Sequence, residues 1–210
     1  LDRACELPAD EIVLVVGFQA ESIINTYGID YKGKPIRYVI QREQKGLVHA
    51  IECASDALYG EDFFLMLGDE VLVNPRHREM YQYFLMNPDI YVLCGVLRQP
   101  DREKTKRTYT VLSDSDGRIY RLIEKPKHVF TEYQGTGYIL FRYGGILQYV
   151  DRVPIHPERG ERELPDLIQI AVDEGHLVKL FEVCDKYTNI NTLEDLKEAE
   201  EILKEEKKSV

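Results

Sequence analysis

The sequence has 210 residues, 44% of them hydrophobic, which is enough for one domain with a substantial core over residues 1–210. Its net charge of -10 argues against a general nucleic-acid-binding protein, but it leaves room for an anionic small substrate beside a bound cation. No apolar stretch approaches the ~18 residues of a membrane span, the first residues do not resemble a signal peptide, and the four cysteines are widely scattered. These features predict a cytoplasmic protein with reduced thiols and no membrane partner.

The first half of the chain alternates strands and helices. Strands are predicted over residues 11–18, 36–41, 63–67 and 90–97, and helices over residues 20–27, 46–58 and 77–86. Continuous apolar runs are typical of strands buried on both faces, and this alternation implies a parallel, doubly wound sheet.

The pattern changes after residue 100. Predicted strands over residues 108–112 and 119–124 flank Asp116-Gly117, which favours an antiparallel hairpin. Further strands are predicted over 137–141 and 178–183, and helices over 164–174 and 193–206, the last capped by Thr192 with Asp195; residues 204–210 are expected to fray. The predicted fold is therefore α/β, a mostly parallel Rossmann-like sheet with an antiparallel hairpin extension.

The apolar run over residues 63–67 ends in Gly68-Asp69. Ligands of α/β sheets bind just beyond the carboxyl ends of the strands, so Asp69 occupies the place of a catalytic metal ligand and Gly68 would let the backbone approach a ligand closely. Many strands end in Gly-Asp simply as a turn, and this alternative stays open for the pair taken alone.

Five short segments follow one another along the chain: residues 41–47 (QREQKGL), 67–69 (LGD), 124–126 (EKP), 135–138 (GTGY) and 189–196 (NINTLEDL). This ordered set resembles the sugar-1-phosphate nucleotidyltransferases, which include thymidylyl-, uridylyl- and cytidylyltransferases, and the resemblance covers essentially the whole chain. It implies that an NTP and a sugar-1-phosphate give an NDP-sugar and pyrophosphate by in-line attack on the α-phosphorus, with Mg²⁺ as cofactor.

The resemblance assigns the metal and nucleotide residues. Asp69 matches the family's catalytic metal ligand, and Asn189 matches its second ligand, which is often Asp; Asn191 is an alternative ligand. The alternative is that both asparagines serve only as turn and capping residues before the terminal helix. Gln41 and Gly46 match the positions that read the base, since a side-chain amide both donates and accepts hydrogen bonds, and Gly68 and Asp69 complete the nucleotide-binding set.

The resemblance also assigns the acceptor site. Glu124 would accept hydrogen bonds from sugar hydroxyls, and Lys125 would act on the sugar phosphate as a compact cation. Gly137 and Tyr138 would line the sugar pocket. Arg159 matches an arginine that contacts the sugar phosphate in longer thymidylyl members, although its charged surroundings also suit a solvated loop.

Two departures from the family pattern bear on the substrate. Many members carry Tyr-Gly where this chain has Tyr109-Thr110, and the β-branched threonine would narrow the approach of a sugar, so that another phosphorylated alcohol or a phosphonate is an alternative acceptor. The family also opens with a strand and a Gly-rich phosphate loop, which are missing from the sequence as it begins at Leu1; we expect both to precede Leu1 in the full protein.

Three classes of function therefore remain at this point. The first is the enzyme, for which a homo-oligomer is the expected assembly. The second is a non-catalytic member that binds a nucleotide or an NDP-sugar, favoured by the absent loop and by Asn189. The third is a metal-dependent glycosyltransferase, which usually carries Asp-x-Asp where this chain has Asp69-Glu70-Val71.

Overall fold

The computed structural model describes residues 1–208, with side chains described through Lys204. The strands are β1 Ile12–Val16, β2 Asp30–Tyr31, β3 Lys34–Ile40, β4 Phe63–Leu65, β5 Glu70–Val73, β6 Ile90–Arg98, β7 Tyr109–Ser113, β8 Ile119–Glu124, β9 Tyr133–Phe141, β10 Leu177–Glu182 and β11 Lys186–Asn189. The helices are α1 Asp2–Cys5, α2 Ala20–Tyr27, α3 Gly46–Cys53, α4 Ser55–Leu58, α5 His77–Met86, α6 Arg102–Thr105, α7 Leu164–Asp173 and α8 Leu193–Lys208, with a 3₁₀ helix at Gly145–Arg152.

The chain forms two compact units. The first comprises Leu1–Phe63 and Phe141–His176. It contains a three-stranded sheet in which β1 runs parallel to β3, from Ile12 beside Ile36 to Val16 beside Ile40, and β2 pairs antiparallel with β3. The parallel pair places the ends of β1 and β3 at one edge, where ligands bind in such sheets.

The second unit comprises Phe64–Leu140 and the residues from Leu177 onward. Its main sheet has the order β10-β6-β9-β7-β8, with β4 also beside β9; β10 is parallel to β6, whereas β7 is antiparallel to both β8 and β9. A separate antiparallel pair joins β5 and β11. One hydrophobic cluster forms the core of this unit: Leu72, Met80, Phe84, Ile90, Leu93, Leu97, Tyr138, Leu140, Val183, Cys184 and Tyr187.

The predicted α/β class and the antiparallel hairpin extension are confirmed. The helices predicted over residues 20–27 and 77–86 have the bounds of α2 and α5, and the hairpin forms between β7 and β8. The predicted helix cap is also present: Asp195 N–H donates to Thr192 Oγ1 at 3.2 Å, and Thr192 N–H donates to Asp195 Oδ2 at 2.8 Å. These features depend on local patterns, which are visible in the sequence.

Some predicted elements have different bounds in the structure, and some short strands were not predicted. The helix predicted over residues 46–58 is divided at Ala54, whose N–H is shared between the carbonyls of Ala50 and Ile51. The strand predicted over 63–67 ends at Leu65, because an apolar run does not show where hydrogen-bonded pairing stops. The short strands β5 and β11 were not predicted, since each has only four residues and its partner is distant in sequence.

Three further expectations concern the C-terminal tail, the number of domains and the absence of a membrane span. α8 continues through Lys208, so residues 204–208 of the expected frayed tail are helical, and residues 209–210 lie outside the described residues. The assignment of residues 1–210 to one domain stays a prediction. Within the described part of the chain, every helix is too short or too polar to cross a membrane.

Candidate nucleotide and metal site

The two predicted metal ligands lie at one end of the β5–β11 pair. Asp69 directly precedes β5, Asn189 is the last residue of β11, and Asn189 pairs with Glu70 across the two strands. The N–H of Ile190 donates to the carbonyl oxygen of Asp69 at 2.7 Å. Antiparallel pairing therefore brings the backbones of Asp69 and Asn189 together although they are far apart in sequence.

The side chains at this end of the pair suit a hard cation. Asp69 is exposed and Asn189 is half-buried. Neither side chain has a hydrogen-bond partner among the described residues, so one carboxylate and one amide oxygen are available. Mg²⁺ takes one or two such oxygens together with substrate phosphates and water, and the pair fits that requirement. Over residues 1–204, no group of three or more His, Cys, Asp or Glu side chains is placed to hold a metal.

Asn191, the alternative ligand, lies at the start of α8. Its backbone N–H donates to Asp195 Oδ2 at 3.0 Å, next to the bond from Thr192. Its main chain thus belongs to the helix cap, whereas its exposed side chain has no hydrogen-bond partner within the described residues. Its role as a metal ligand stays a prediction.

Glu70, the residue after Asp69, connects this end of β5 to β9 and β11 through side-chain hydrogen bonds. The sequence analysis did not single out Glu70 for this role. Its carboxylate accepts hydrogen bonds from the Gly137 N–H at 2.7 and 3.0 Å and from the Tyr187 hydroxyl at 2.8 Å. Burial raises the pKa of Glu70 to about 7, although the two donors work in the opposite direction. Burial and the nearby Glu70 carboxylate raise the pKa of Tyr187 well above its usual range. The signal for Glu70 was a second carboxylate directly after Gly-Asp.

Gly137 is required by this arrangement. A Cβ at this position would lie 2.3 Å from Leu67 Cγ and 3.0 Å from Glu70 Oε2, and the first distance is far below a van der Waals contact. The missing side chain lets β9 approach the Gly68-Asp69 turn closely. The contact of Gly137 with a sugar stays a prediction, as does the nucleotide contact of the exposed Gly68.

Lys125 is held in an unusual backbone conformation at the end of β8. Its φ is +42°, in the left-handed region that residues with a Cβ rarely adopt, and its N–H donates to Thr108 O at 2.7 Å. Its ammonium lies 3.7 Å from Glu124 Oε1 and is 46% exposed at the side chain, against 16% for Glu124. Strained residues concentrate at functional sites, and a loosely paired, accessible cation suits an anionic substrate.

Tyr109 and Thr110, predicted to contact substrate, are both buried. The Tyr109 hydroxyl donates to Thr136 O at 3.0 Å, and its pKa is raised well above the usual range by burial. The Thr110 hydroxyl lies 2.7 Å from the Thr131 hydroxyl and 2.7 Å from Tyr133 O. Both side chains make internal hydrogen bonds, and their substrate contacts stay predictions.

Tyr138 lies in the core of the second unit and is 6% exposed. Its ring stands edge-on to Phe64 with 5.7 Å between the ring centroids. Because side chains alternate along a strand, Tyr138 points to the face of β9 opposite Gly135 and Gly137. A contact between Tyr138 and substrate, which stays a prediction, would involve its backbone.

The predicted base-reading residues meet in the first unit. Gln41 continues the parallel pairing of β1 and β3, with its N–H 2.8 Å from Val16 O. Its side-chain Nε2 donates to Gly46 O at 3.0 Å and lies 3.0 Å from His49 Nδ1. Gly46 begins α3 with a φ of +85°, which glycine adopts readily. His49 was not among the predicted site residues; its position on the first turn of α3 was the available signal.

Arg159 belongs to a tight loop of the same unit. The bridge between Ile155 and Arg162 closes the loop, and the Gly160 N–H donates to His156 O at 2.8 Å. Arg159 pairs with Glu163. Its contact with a phosphate stays a prediction, and such a contact would compete with this ion pair.

The loop of Arg159 also reaches the base-reading residues. A Cβ at Gly46 would lie 3.0 Å from both Cβ and Oε2 of Glu161. The structure thus brings Gln41, Gly46 and the Arg159 loop into one neighbourhood of the first unit.

Known proteins are similar to this chain in sequence and in fold. The nucleotidyl transferase family model matches residues 1–206. A UTP–glucose-1-phosphate uridylyltransferase of Haloferax volcanii is 31% identical over 211 residues, covering 98% of this chain and 82% of that protein. A glucose-1-phosphate thymidylyltransferase of Streptomyces griseus is 27% identical over 199 residues, covering 93% of this chain but 53% of that protein.

The fold is shared with solved structures as well. UDP-glucose pyrophosphorylase complexed with UDP-glucose superimposes with a TM-score of 0.85 at 15% identity, over 97% of this chain and 84% of the other. The sequence match over residues 1–206, the Haloferax relative and the shared fold agree with one another. This chain belongs to the nucleotidyl transferase family, among the sugar-1-phosphate nucleotidyltransferases.

Proposed function

We propose that the protein transfers a nucleotidyl group from an NTP to a sugar-1-phosphate and releases pyrophosphate. The observation that carries the proposal is the pairing of β5 with β11, which puts Asp69 beside Asn189 with the oxygens of both side chains unused among the described residues. Family membership supplies the reaction class.

The reaction needs positioning more than covalent help from the protein. A phosphate oxygen of the sugar-1-phosphate attacks the α-phosphorus in line, a new P–O bond forms, and the bond to the β-phosphate oxygen breaks as pyrophosphate leaves. Lys125 binds the acceptor phosphate and holds its oxygen for the attack, and Glu124 accepts hydrogen bonds from the sugar hydroxyls. Asp69 and Asn189 would hold Mg²⁺, and the bound cation would neutralise negative charge on the phosphates.

The nucleotide and acceptor proposed first are those named for the relatives. The Haloferax protein is named for UTP and glucose-1-phosphate, and the Streptomyces protein for a thymidylyl group and glucose-1-phosphate. In this chain Gln41 and Gly46 would read the base. Thr110, which stands where many members carry glycine, is buried and hydrogen-bonded within the protein. Because this difference could change the preferred acceptor, an activity test has to include acceptors other than glucose-1-phosphate.

A cytoplasmic location and a homo-oligomeric state also belong to this proposal. The scattered cysteines, none in a disulfide among the described residues, support the location. The usual symmetry of soluble enzymes supports the oligomer, which light scattering after size-exclusion chromatography would measure.

The test is pyrophosphate release by the full-length natural protein. The protein is incubated with Mg²⁺ and each of UTP, dTTP, CTP, ATP and GTP against sugar-1-phosphates, phosphocholine and simple phosphonates. Release with a sugar-1-phosphate, abolished by EDTA and by Asp69→Ala, is the expected result. Release only with a non-sugar acceptor would overturn the sugar assignment, and nucleotide binding without release in any pair would favour a non-catalytic member.

A further inference from the structure

His49 faces the amide of the predicted base-reading residue. Its Nδ1 lies 3.0 Å from Gln41 Nε2, and the same Nε2 donates to Gly46 O at 3.0 Å. A side-chain amide nitrogen carries two hydrogens, and these two acceptors use both of them. The donor end of the Gln41 amide is therefore satisfied inside the protein.

The opposite end of the amide is left for a ligand. Gln41 Oε1 has no hydrogen-bond partner among the described residues. Turning the amide around would put Oε1 against the Gly46 carbonyl oxygen, and that carbonyl would then receive no hydrogen; His49 Nδ1 can serve as acceptor or donor according to its tautomer. The Gly46 carbonyl thus selects the observed orientation, and His49 holds the same nitrogen with a second hydrogen bond.

The tautomer of His49 follows from the same contact. Nδ1 can accept from Gln41 only if it carries no proton, so the neutral ring bears its hydrogen on Nε2. That hydrogen faces Cys53 Sγ, which lies 3.7 Å from Nε2 one helical turn further along α3. His49 thereby acts on Gln41 through a defined acceptor.

We propose that His49 is a positioning residue for base selection, which rests on the proposed function because it requires Gln41 to lie at the base. His49 and the Gly46 carbonyl hold the amide with its oxygen toward the nucleotide. A pyrimidine with a ring N–H, uracil or thymine, donates to this oxygen through N3–H. Cytosine presents a lone pair at N3 and is disfavoured at the same position.

The first arm of the test measures nucleotide binding by the full-length wild-type protein. Dissociation constants are determined for UTP, CTP and N3-methyl-UTP, the last lacking the donor at N3. We expect UTP to bind more tightly than either of the other two nucleotides by about threefold to tenfold, the range of one neutral hydrogen bond.

The second arm compares variants. His49→Leu keeps bulk but removes the acceptor, so the preference for UTP over N3-methyl-UTP should fall to about twofold or less. His49→Asn restores an acceptor close to the place of Nδ1 and should recover the preference. Cys53→Ala is the matched control on the other side of the ring and should leave the preference at its wild-type value.

Four readouts separate this role from a merely structural one. In His49→Leu the KM for the NTP should rise while kcat, the KM for the sugar phosphate and the melting temperature stay near wild type. An unchanged preference in a folded His49→Leu protein, or equal wild-type binding of UTP and N3-methyl-UTP, would overturn the inference alone. Failure of the wild type to bind any nucleotide would overturn the proposed function and this inference with it.

Discussion

The region around Gln41 and the region around Asp69 prepare for a ligand in different ways. The Gln41 amide nitrogen is already held by the Gly46 carbonyl and His49, so its orientation is fixed by the protein. The side chains of Asp69 and Asn189 have no hydrogen-bond partner among the described residues, and only their backbones are fixed by β5 and β11. The region around Gln41 therefore supplies a side chain whose orientation is already fixed. The region around Asp69 supplies side-chain oxygens that are still able to bind a cation, on a backbone that is fixed.

This difference separates two physical requirements. Base selection depends on which atom of an amide faces the ligand, so the amide must be held. A cation needs oxygens that are not already bonded, so its ligands must be kept free, and the rigidity has to come from neighbours such as the Glu70 contacts with Gly137 and Tyr187. Substitutions in the two regions should therefore affect stability and activity to different degrees.

The largest expected effect is on activity at Asp69. In Asp69→Ala we expect pyrophosphate release to fall by on the order of 10²–10³-fold, because the main metal ligand is gone. The free energy of unfolding should change by less than about 0.5 kcal/mol, whereas Gln41→Ala should lose about 1 kcal/mol with its two hydrogen bonds. Assays and urea unfolding of both variants test the contrast.

Asp116→Ala is the matched control, since Asp116 is an exposed aspartate in the β7–β8 turn. It should keep both activity and stability. Full activity in Asp69→Ala would contradict the assignment of Asp69 as the metal ligand.

The next effect is on stability at Gly137. The added methyl of Gly137→Ala would lie 2.3 Å from Leu67 Cγ and 3.0 Å from Glu70 Oε2. Relieving the clash should cost about 1–3 kcal/mol, measured by urea unfolding. Gly68→Ala is the control for stability, since a Cβ at Gly68 meets nothing within 4 Å. Equal stability of the two variants would show that the close approach at Gly137 does not constrain the fold.

Lys125 should affect acceptor binding. Lys125→Ala removes a charge-assisted contact to the sugar phosphate, so the KM for the acceptor should rise about tenfold to a hundredfold while the KM for the NTP stays constant. Lys127→Ala removes an exposed lysine two residues away and should leave both constants unchanged. A rise in the KM for the NTP alone would move Lys125 to the nucleotide side of the site.

A smaller effect is expected at the second metal ligand. Asn189→Asp adds a carboxylate to the site and should lower the Mg²⁺ concentration for half-maximal activity about threefold to tenfold. Asn191→Asp is the matched variant on the alternative ligand. If Asn191→Asp shifts the Mg²⁺ dependence and Asn189→Asp does not, the second ligand is Asn191.

The smallest effect lies at the other end of β5 and β11. Arg76 and Asn74 hold the pKa of Asp185 below its usual range. Between that lowered pKa and the ordinary value of about 3.9, the unfolded chain binds more protons than the folded one, so stability rises with pH there. Relative to Asp185→Asn, the wild type should gain less than about 1 kcal/mol at neutral pH because the pair is partly exposed.

Urea unfolding across a pH series checks this expectation. The difference between wild type and Asp185→Asn should disappear as the pH falls through the lowered pKa. A difference that is constant with pH would show that the ion pair with Arg76 does not stabilise the β5–β11 pair.

The sequence predicted the neighbours of some residues of the candidate site and not those of others. Asp69 and Asn189 were expected together only because of the family resemblance, and the structure shows the strand pair that joins them. His49 lies eight residues from Gln41, yet sequence reasoning missed it, because the spacing does not show which ring nitrogen faces the amide. The Glu70–Tyr187 contact spans 117 positions and had no local signal.

The sequence by itself determined the features that depend on neighbouring residues: the amphipathic helices α2 and α5, the β7–β8 hairpin and the cap of α8 by Thr192 and Asp195. Only the tertiary structure decided that β5 pairs with β11, that Gly137 must lack a side chain and that His49 holds Gln41. The physical reason is that periodicity and capping act within a few residues, whereas short strands and buried hydrogen bonds acquire their partners from distant parts of the chain.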